Sequence, residues 1–258
     1  MKYKIIFFDL HETLIKCRLS YEESYRNIAL SCGIDLGRFD VKRKANEVWH
    51  GIGEDQIAQE SVGLNNEEKI CQWWSNYHLK VIKNVLPEID EKKALEFGGV
   101  FNYQYCNNPL LFELHEGVFE TLDILQKECK LILVSNSDKG VRGIIKYFKL
   151  DKYFSDIIIS AEIGYSKPDT KILESSFKKY NTSPEKCLIV GDSYLYDIKM
   201  GIDSGIDTCL FTKQKKYTPQ HPTIIVDKLI KLPNLLGIPK NPFLNARINN
   251  ASVCKKSF

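Results

Sequence analysis

The sequence has no C-x-x-C pair among its eight cysteines, and no cysteine stands at a zinc-like spacing from histidine. That excludes the common structural zinc sites and the thioredoxin-like redox motif, and leaves free thiols suited to a reducing compartment. Cys187 and Cys209 fall in apolar runs, where a thiol behaves as a small hydrophobe. No apolar stretch approaches the length of a membrane span, and the N-terminal run is too short for a signal peptide. Cys254 is fifth from the end, so the prenylation pattern fails as well. The expected location is the cytosol, with no membrane partner. Strong charge of either sign is also missing: 36 basic and 33 acidic residues leave a net charge of +3, too weak a field to imply nucleic acid. At 258 residues the chain is long enough to bury a core without disulfide or metal staples.

What is present begins with Ile5-Ile6-Phe7-Phe8, an apolar run without alternation, which suits a strand buried on both faces of a parallel sheet. Asp9 follows at once, where open α/β sheets place their chemistry, although an Asp capping a turn is common in its own right. The sheet pattern then stops for about 95 residues and helical patterns take over. Ser20-Tyr21-Glu22-Glu23 reads as a capping box opening a helix that Gly33 would end. Further helices are expected over Asp40 to Trp49, Glu67 to Val85 before Pro87, and 88 to 101.

Trp49-His50-Gly51-Ile52-Gly53-Glu54-Asp55 is a glycine-bearing break, either an interhelical turn or a loop that reaches a ligand. Trp73, Trp74, Tyr77 and His78 recur at helical spacing and read as packing residues rather than a ligand box. From Pro109 strands and helices alternate. Strands are expected at 131–134, 157–159, 187–190 and 208–211, with a candidate edge strand at 224–226. Helices are expected from Glu116-Gly117-Val118, over Gly140 to Phe148, around Ile172, and from Tyr194 to Gly205. Such alternation implies right-handed crossovers and a three-layer α/β/α sandwich around a Rossmann-like parallel sheet. The segment 238–258 has no periodicity and is expected to be loosely held.

Three stretches bear on Asp9. Leu131-Ile132-Leu133-Val134 ends in Ser135-Asn136; Gly164-Tyr165-Ser166-Lys167-Pro168-Asp169 follows; then comes Leu188-Ile189-Val190-Gly191-Asp192-Ser193-Tyr194-Leu195-Tyr196-Asp197. In this order, from residue 4 to about residue 211, the chain resembles the haloacid dehalogenase superfamily of phosphatases and related hydrolases. The resemblance implies a core of residues 1–15 and 109–237, an all-helical cap at 16–108 inserted after the first strand, and a tail at 238–258. It implies Asp9 as nucleophile, with Thr13, Ser135, Asn136 and Lys167 holding phosphate. It implies Mg²⁺ on Asp9, the His11 carbonyl and Asp192, with Asp197 in support through a water. Taken alone, Asp192 and Asp197 could equally be a helix N-cap and first-turn charge, Ser135 and Asn136 a turn, and Lys167 a surface lysine.

One position departs from the family. Its first motif usually reads Asp-x-Asp-Gly-Thr, and this chain has His11 and Glu12 at the third and fourth places. The leading expectation is an Mg²⁺-dependent phosphatase acting on a small phosphorylated metabolite such as a nucleotide or sugar phosphate, with His11 as acid. Two alternatives stand beside it: cleavage of carbon–halogen or carbon–phosphorus bonds, and a non-catalytic member that binds phosphate ligands or a protein.

Overall fold

Strand β1 (Ile5–Phe8) lies at the centre of a six-stranded parallel sheet in the computed structural model, which describes residues 1–53, 56, 57, 59, 60, 66–213 and 221–238. Its neighbours are β4 (Lys130–Ser135), then β5 (Asp156–Ile159) on one side, and β6 (Cys187–Gly191), β7 (Asp207–Phe211) and β8 (Ile224–Val226) on the other. The missing alternation in β1 is explained by its two faces. Ile6 and Phe8 pack with Leu122 and Leu125 of α5 (Val118–Leu125) and Ile144 and Ile145 of α6 (Val141–Tyr147). Ile5 and Phe7 pack on the opposite side with Ile172 and Leu173 of α7 (Lys171–Lys179). Both phenylalanines are fully buried, and each such side chain is worth roughly 1.5–3 kcal/mol of transfer free energy.

Between the first strand and the second strand of the sheet come four labelled helices: α1 (Tyr21–Ser31), α2 (Val41–Ile52), α3 (Glu67–Val85) and α4 (Glu91–Asn107). They share a separate core that includes Tyr25, Ala29, Val81, Ile82, Ala94 and Phe97. The capping box at Ser20 forms as the sequence predicts, with Glu23 N donating to Ser20 Oγ at 3.2 Å and Ser20 N to the Glu23 carboxylate at 2.9 Å. Asp40 and Asn66 cap α2 and α3 by the side-chain half of this pattern, accepting from Arg43 N and Lys69 N. Helix α4 starts later than the expected 88–101, because Asp90 is its N-cap, and it runs on to Asn107, just ahead of Pro109.

Not foreseen is a short antiparallel ribbon, β2 (Ile15–Cys17) with β3 (Phe112–Leu114), which ties together the two points where the chain leaves and re-enters the sheet layer. Three residues per strand carry too little periodicity to be read from sequence. The helix expected over Tyr194 to Gly205 divides into a π-helical stretch at Tyr194–Lys199 and a short α-helix at Met200–Asp203. Gly51 lies inside α2, and the break falls at Gly53, whose φ of 86° is readily reached by glycine. Glu54, Asp55 and the tail from Pro239 onward, including Cys254, lie outside the described residues.

Candidate active site

Parallel register sets the site. Phe8 stands opposite Leu133 of β4 and Val190 of β6, so the residues just beyond these strands share one edge of the sheet. Asp9, Ser135, Asn136, Asp192 and Asp197 come together there, and Lys167 arrives from the loop after β5. Gly191 permits this, since a Cβ at that position would collide with the Asp197 carboxylate.

Lys167 is buried and central. Its Nζ donates to Asp9 Oδ1 at 2.6 Å and to Asp197 Oδ1 at 2.7 Å. Burial alone would lower the lysine pKa, but the charges of Asp197 and Asp9 outweigh it and raise the value above the ordinary range. The side chain of Asn136 is turned to the backbone of Lys167. Its Nδ2 donates to the Lys167 carbonyl at 2.7 Å, and its Oδ1 accepts from the Lys167 amide at 2.7 Å. The residue expected on phosphate oxygens therefore anchors the backbone from which the Lys167 side chain extends to Asp9 and Asp197.

Asp192 is half-buried, and its Oδ1 accepts from Thr13 Oγ1 at 3.3 Å. Asp197 is fully enclosed, with Oδ1 on Lys167 and Oδ2 accepting from Ser193 N at 3.1 Å. Burial, then the nearby carboxylates, raise Asp192 above the usual carboxylate range, and burial raises Asp197 despite Lys167. One oxygen from each of Asp9, Asp192 and Asp197 falls within 4.8 Å of the others. Two buried carboxylates and a half-buried one against one ammonium are under-neutralised, and an all-oxygen donor set of this kind fits a hard divalent cation.

His11 lies beneath the helices, its ring 4.7 Å from the Tyr105 ring in a stacked arrangement and 5.2 Å from Phe112. Its Nε2 is buried without a hydrogen-bond partner. Burial pushes its pKa down to about 4, against the raising effect of Asp9, so the ring is neutral near pH 7. Glu12, where the family has glycine, sits at a φ of 58°, a left-handed conformation that costs a non-glycine residue on the order of 1 kcal/mol. Cys17 N donates to its carboxylate at 3.3 Å.

These charged groups form the floor of a cavity of about 470 Å³. Its wall, from α2, α3 and α4, carries Trp49, Trp73, Trp74, Tyr77, His78 and Phe101. All three tryptophans of the chain are therefore at this cavity. Trp73, Trp74, Tyr77 and His78 do pack on one another, with Trp73 and Tyr77 stacked at 5.9 Å, but they also face the floor. Helical spacing could not separate the two uses. The concentration of every tryptophan in the stretch 49–74 was the available signal.

Comparison with known proteins agrees with this geometry. A family model described as haloacid dehalogenase-like hydrolase matches residues 3–205. The HAD-hydrolase YfnB of Bacillus subtilis is 32% identical over 247 residues, spanning 92% of this chain and 97% of its own. A glyceraldehyde 3-phosphate phosphatase of Pyrococcus furiosus is 28% identical over 219 residues, 83% of this chain and 82% of that protein. Among solved structures, YfnB bound to magnesium superposes with a TM-score of 0.72, covering 92% of this chain and all of that one, at 22% identity over the superposed residues.

Proposed function

The chain belongs to the haloacid dehalogenase-like hydrolase family, and from that membership we propose that it is an Mg²⁺-dependent phosphatase of a small phosphorylated metabolite, such as a nucleotide or sugar phosphate, working in the cytosol. The observation that carries this reading is the buried Lys167 ammonium held between Asp9 and Asp197 at the strand ends, with Asp192 beside them. The phosphatases among its relatives and the magnesium bound to YfnB point the same way. In the described residues, no helix is long and apolar enough to cross a membrane, and the seven described cysteines are free.

In this reading Asp9 supplies the attacking oxygen. A bond forms from its carboxylate to phosphorus as the bond to the leaving alkoxide breaks, and water later releases phosphate and regenerates the carboxylate. Lys167 offsets charge on Asp9 and on the phosphoryl oxygens, Asn136 anchors the Lys167 backbone, Ser135 adds a hydroxyl at the same edge, and the Thr13 hydroxyl supports Asp192. Asp9, the His11 carbonyl, Asp192 and Asp197 would hold the Mg²⁺, which would stabilise negative charge on the transferring group. His11 is the candidate acid for the departing alkoxide, a role open only to the fraction of rings that carry a proton, since burial holds its pKa down to about 4. The helices described between β2 and β3 act as the cap, which excludes water and contacts the leaving group.

The test is phosphate release from a panel of esters with and without Mg²⁺, repeated with Asp9→Asn. Release that needs the cation and disappears in the variant supports the proposal. Turnover that survives the substitution or EDTA overturns it, and a stable protein inactive on all esters points to the binding-only alternative.

A further inference from the structure

The part of the cavity beyond the phosphate end has a distinct chemistry. Trp49, Trp73, Trp74 and Phe101 contribute ring surface, and their mutual contacts fix it: Trp73 and Trp74 meet edge to face at 4.8 Å, and Trp49 meets Trp73 at 6.3 Å. Trp73 is held further by its indole N–H, which donates to the Glu60 carboxylate at 2.6 Å. The polar groups on this wall are neutral, among them the Asn102 amide, the phenols of Tyr21, Tyr77 and Tyr105, and the His78 imidazole. His78 Nδ1 lies 3.2 Å from Tyr25 Oη, and burial drives its pKa down to about 3, so no positive charge arises there at neutral pH. Among the described lining residues, every lysine, arginine, aspartate or glutamate belongs to the floor: Asp9, Lys167, Asp192 and Asp197.

A leaving group with its own carboxylate or phosphate would lose hydration in this chamber and gain no counter-charge. A sugar alone would bring hydroxyls to a wall with few partners for them. A flat, uncharged ring system gains stacking area on rigid indoles and can place heteroatoms against the amide and the phenols. The volume of about 470 Å³ is within the roughly 300–1,000 Å³ usual for small-molecule sites. We infer that the substrate is a phosphate monoester whose leaving group ends in a planar, uncharged heteroaromatic ring, of the nucleoside 5′-monophosphate class, with the ring lodged among Trp49, Trp73 and Trp74. This inference rests on the phosphatase reading for its phosphate end only.

The experiment compares AMP with ribose 5-phosphate, which keeps the sugar and the ester but lacks the base. It is paired with calorimetric titration of adenosine, which has no phosphate to hydrolyse. AMP should have a kcat/KM about 10- to 100-fold higher, the range expected for one stacked base. Trp74→Leu should bring that ratio to within about threefold of unity, and Trp74→Phe should keep most of it. Trp49→Leu provides the same comparison should the first variant fail to fold. Adenosine should bind the unaltered protein and bind Trp74→Leu more weakly. Equal turnover of the two esters with no adenosine heat overturns the inference and leaves the phosphatase reading standing. Failure to hydrolyse any ester overturns the phosphatase reading; the ring site is then supported by adenosine binding that Trp74→Leu weakens, and refuted by its absence.

Discussion

At the strand ends, Asp9, Lys167, Asp192 and Asp197 crowd four charges into buried space, whereas the helical wall facing them carries rings and neutral polar groups. The floor is built from residues far apart in sequence, each fixed by strand register and by hydrogen bonds such as those from Asn136 to Lys167. The wall is built from neighbours on three helices, fixed by ring packing. A floor of that kind suits one reaction, and a wall of this kind is free to vary with the substrate.

The contrast is broken most severely at Asp9. Asp9→Asn removes the nucleophile and should lower kcat by on the order of 10³-fold or more on every ester, with the fold retained by circular dichroism. A comparable loss on all esters from Trp74→Leu would erase the distinction between floor and wall.

His11 belongs to the floor by position and to the wall by its stacking on Tyr105. If its protonated fraction gives the proton to the leaving oxygen, activity on alkyl phosphates should rise as the pH falls towards 4, and His11→Ala should cost more on alkyl phosphates than on aryl phosphates, whose leaving groups need little protonation. His11→Asp should raise activity on alkyl esters. Equal losses on both ester types would assign the ring to packing alone.

Within the floor, the two later aspartates are expected to diverge. Both Asp197 oxygens are engaged, by Lys167 and by Ser193 N, while Asp192 has Thr13 on one oxygen. Asp192→Asn should therefore raise the Mg²⁺ concentration needed for half-maximal activity more than Asp197→Asn does. Asp197→Asn should cost more in unfolding free energy, roughly 1–3 kcal/mol, because it disturbs a buried charged hydrogen bond. Matching Mg²⁺ titrations for the two variants would refute the division.

The smallest expected effect separates the wall by pH. Burial holds the His78 pKa at about 3 in the folded protein, against about 6.5 in an unfolded chain. Between those values only the unfolded state binds the proton, so stability is complete above pH ~6.5 and falls as the pH drops towards 3, by at most about 1.4 kcal/mol per pH unit. His11 adds the same trend from the floor, down to about pH 4. Urea unfolding at pH 7 and pH 5 should show a shallower decline for His78→Phe than for the unaltered chain, and parallel declines would contradict it.

Much of the floor was legible because its residues follow apolar runs: Asp9 after Ile5–Phe8, Ser135 at the end of β4, Asp192 after β6. Capping chemistry likewise announced the start of α1, and the helical pattern ahead of Pro87 gave the bounds of α3. The ribbon of β2 and β3 was not legible, since its pairing is set by the tertiary crossing and not by local pattern. Nor was the bond from Asn136 to Lys167, which joins two turns 31 residues apart. The wall was hidden for another reason: rings at helical spacing satisfy a core and a cavity equally well.

The location of the tryptophans has an optical consequence. Because Trp49, Trp73 and Trp74 all border one cavity and no other tryptophan exists in the chain, the intrinsic indole emission originates at a single place in the molecule. Excitation at the red edge of protein absorbance therefore reads that chamber without background from the sheet. Close edge-to-face contact between Trp73 and Trp74 allows energy to pass between the indoles, so a ligand against one ring perturbs the signal of its neighbour. The unlabelled protein can thus be followed in stopped flow by its own light, separating arrival of the leaving group from the later release of phosphate.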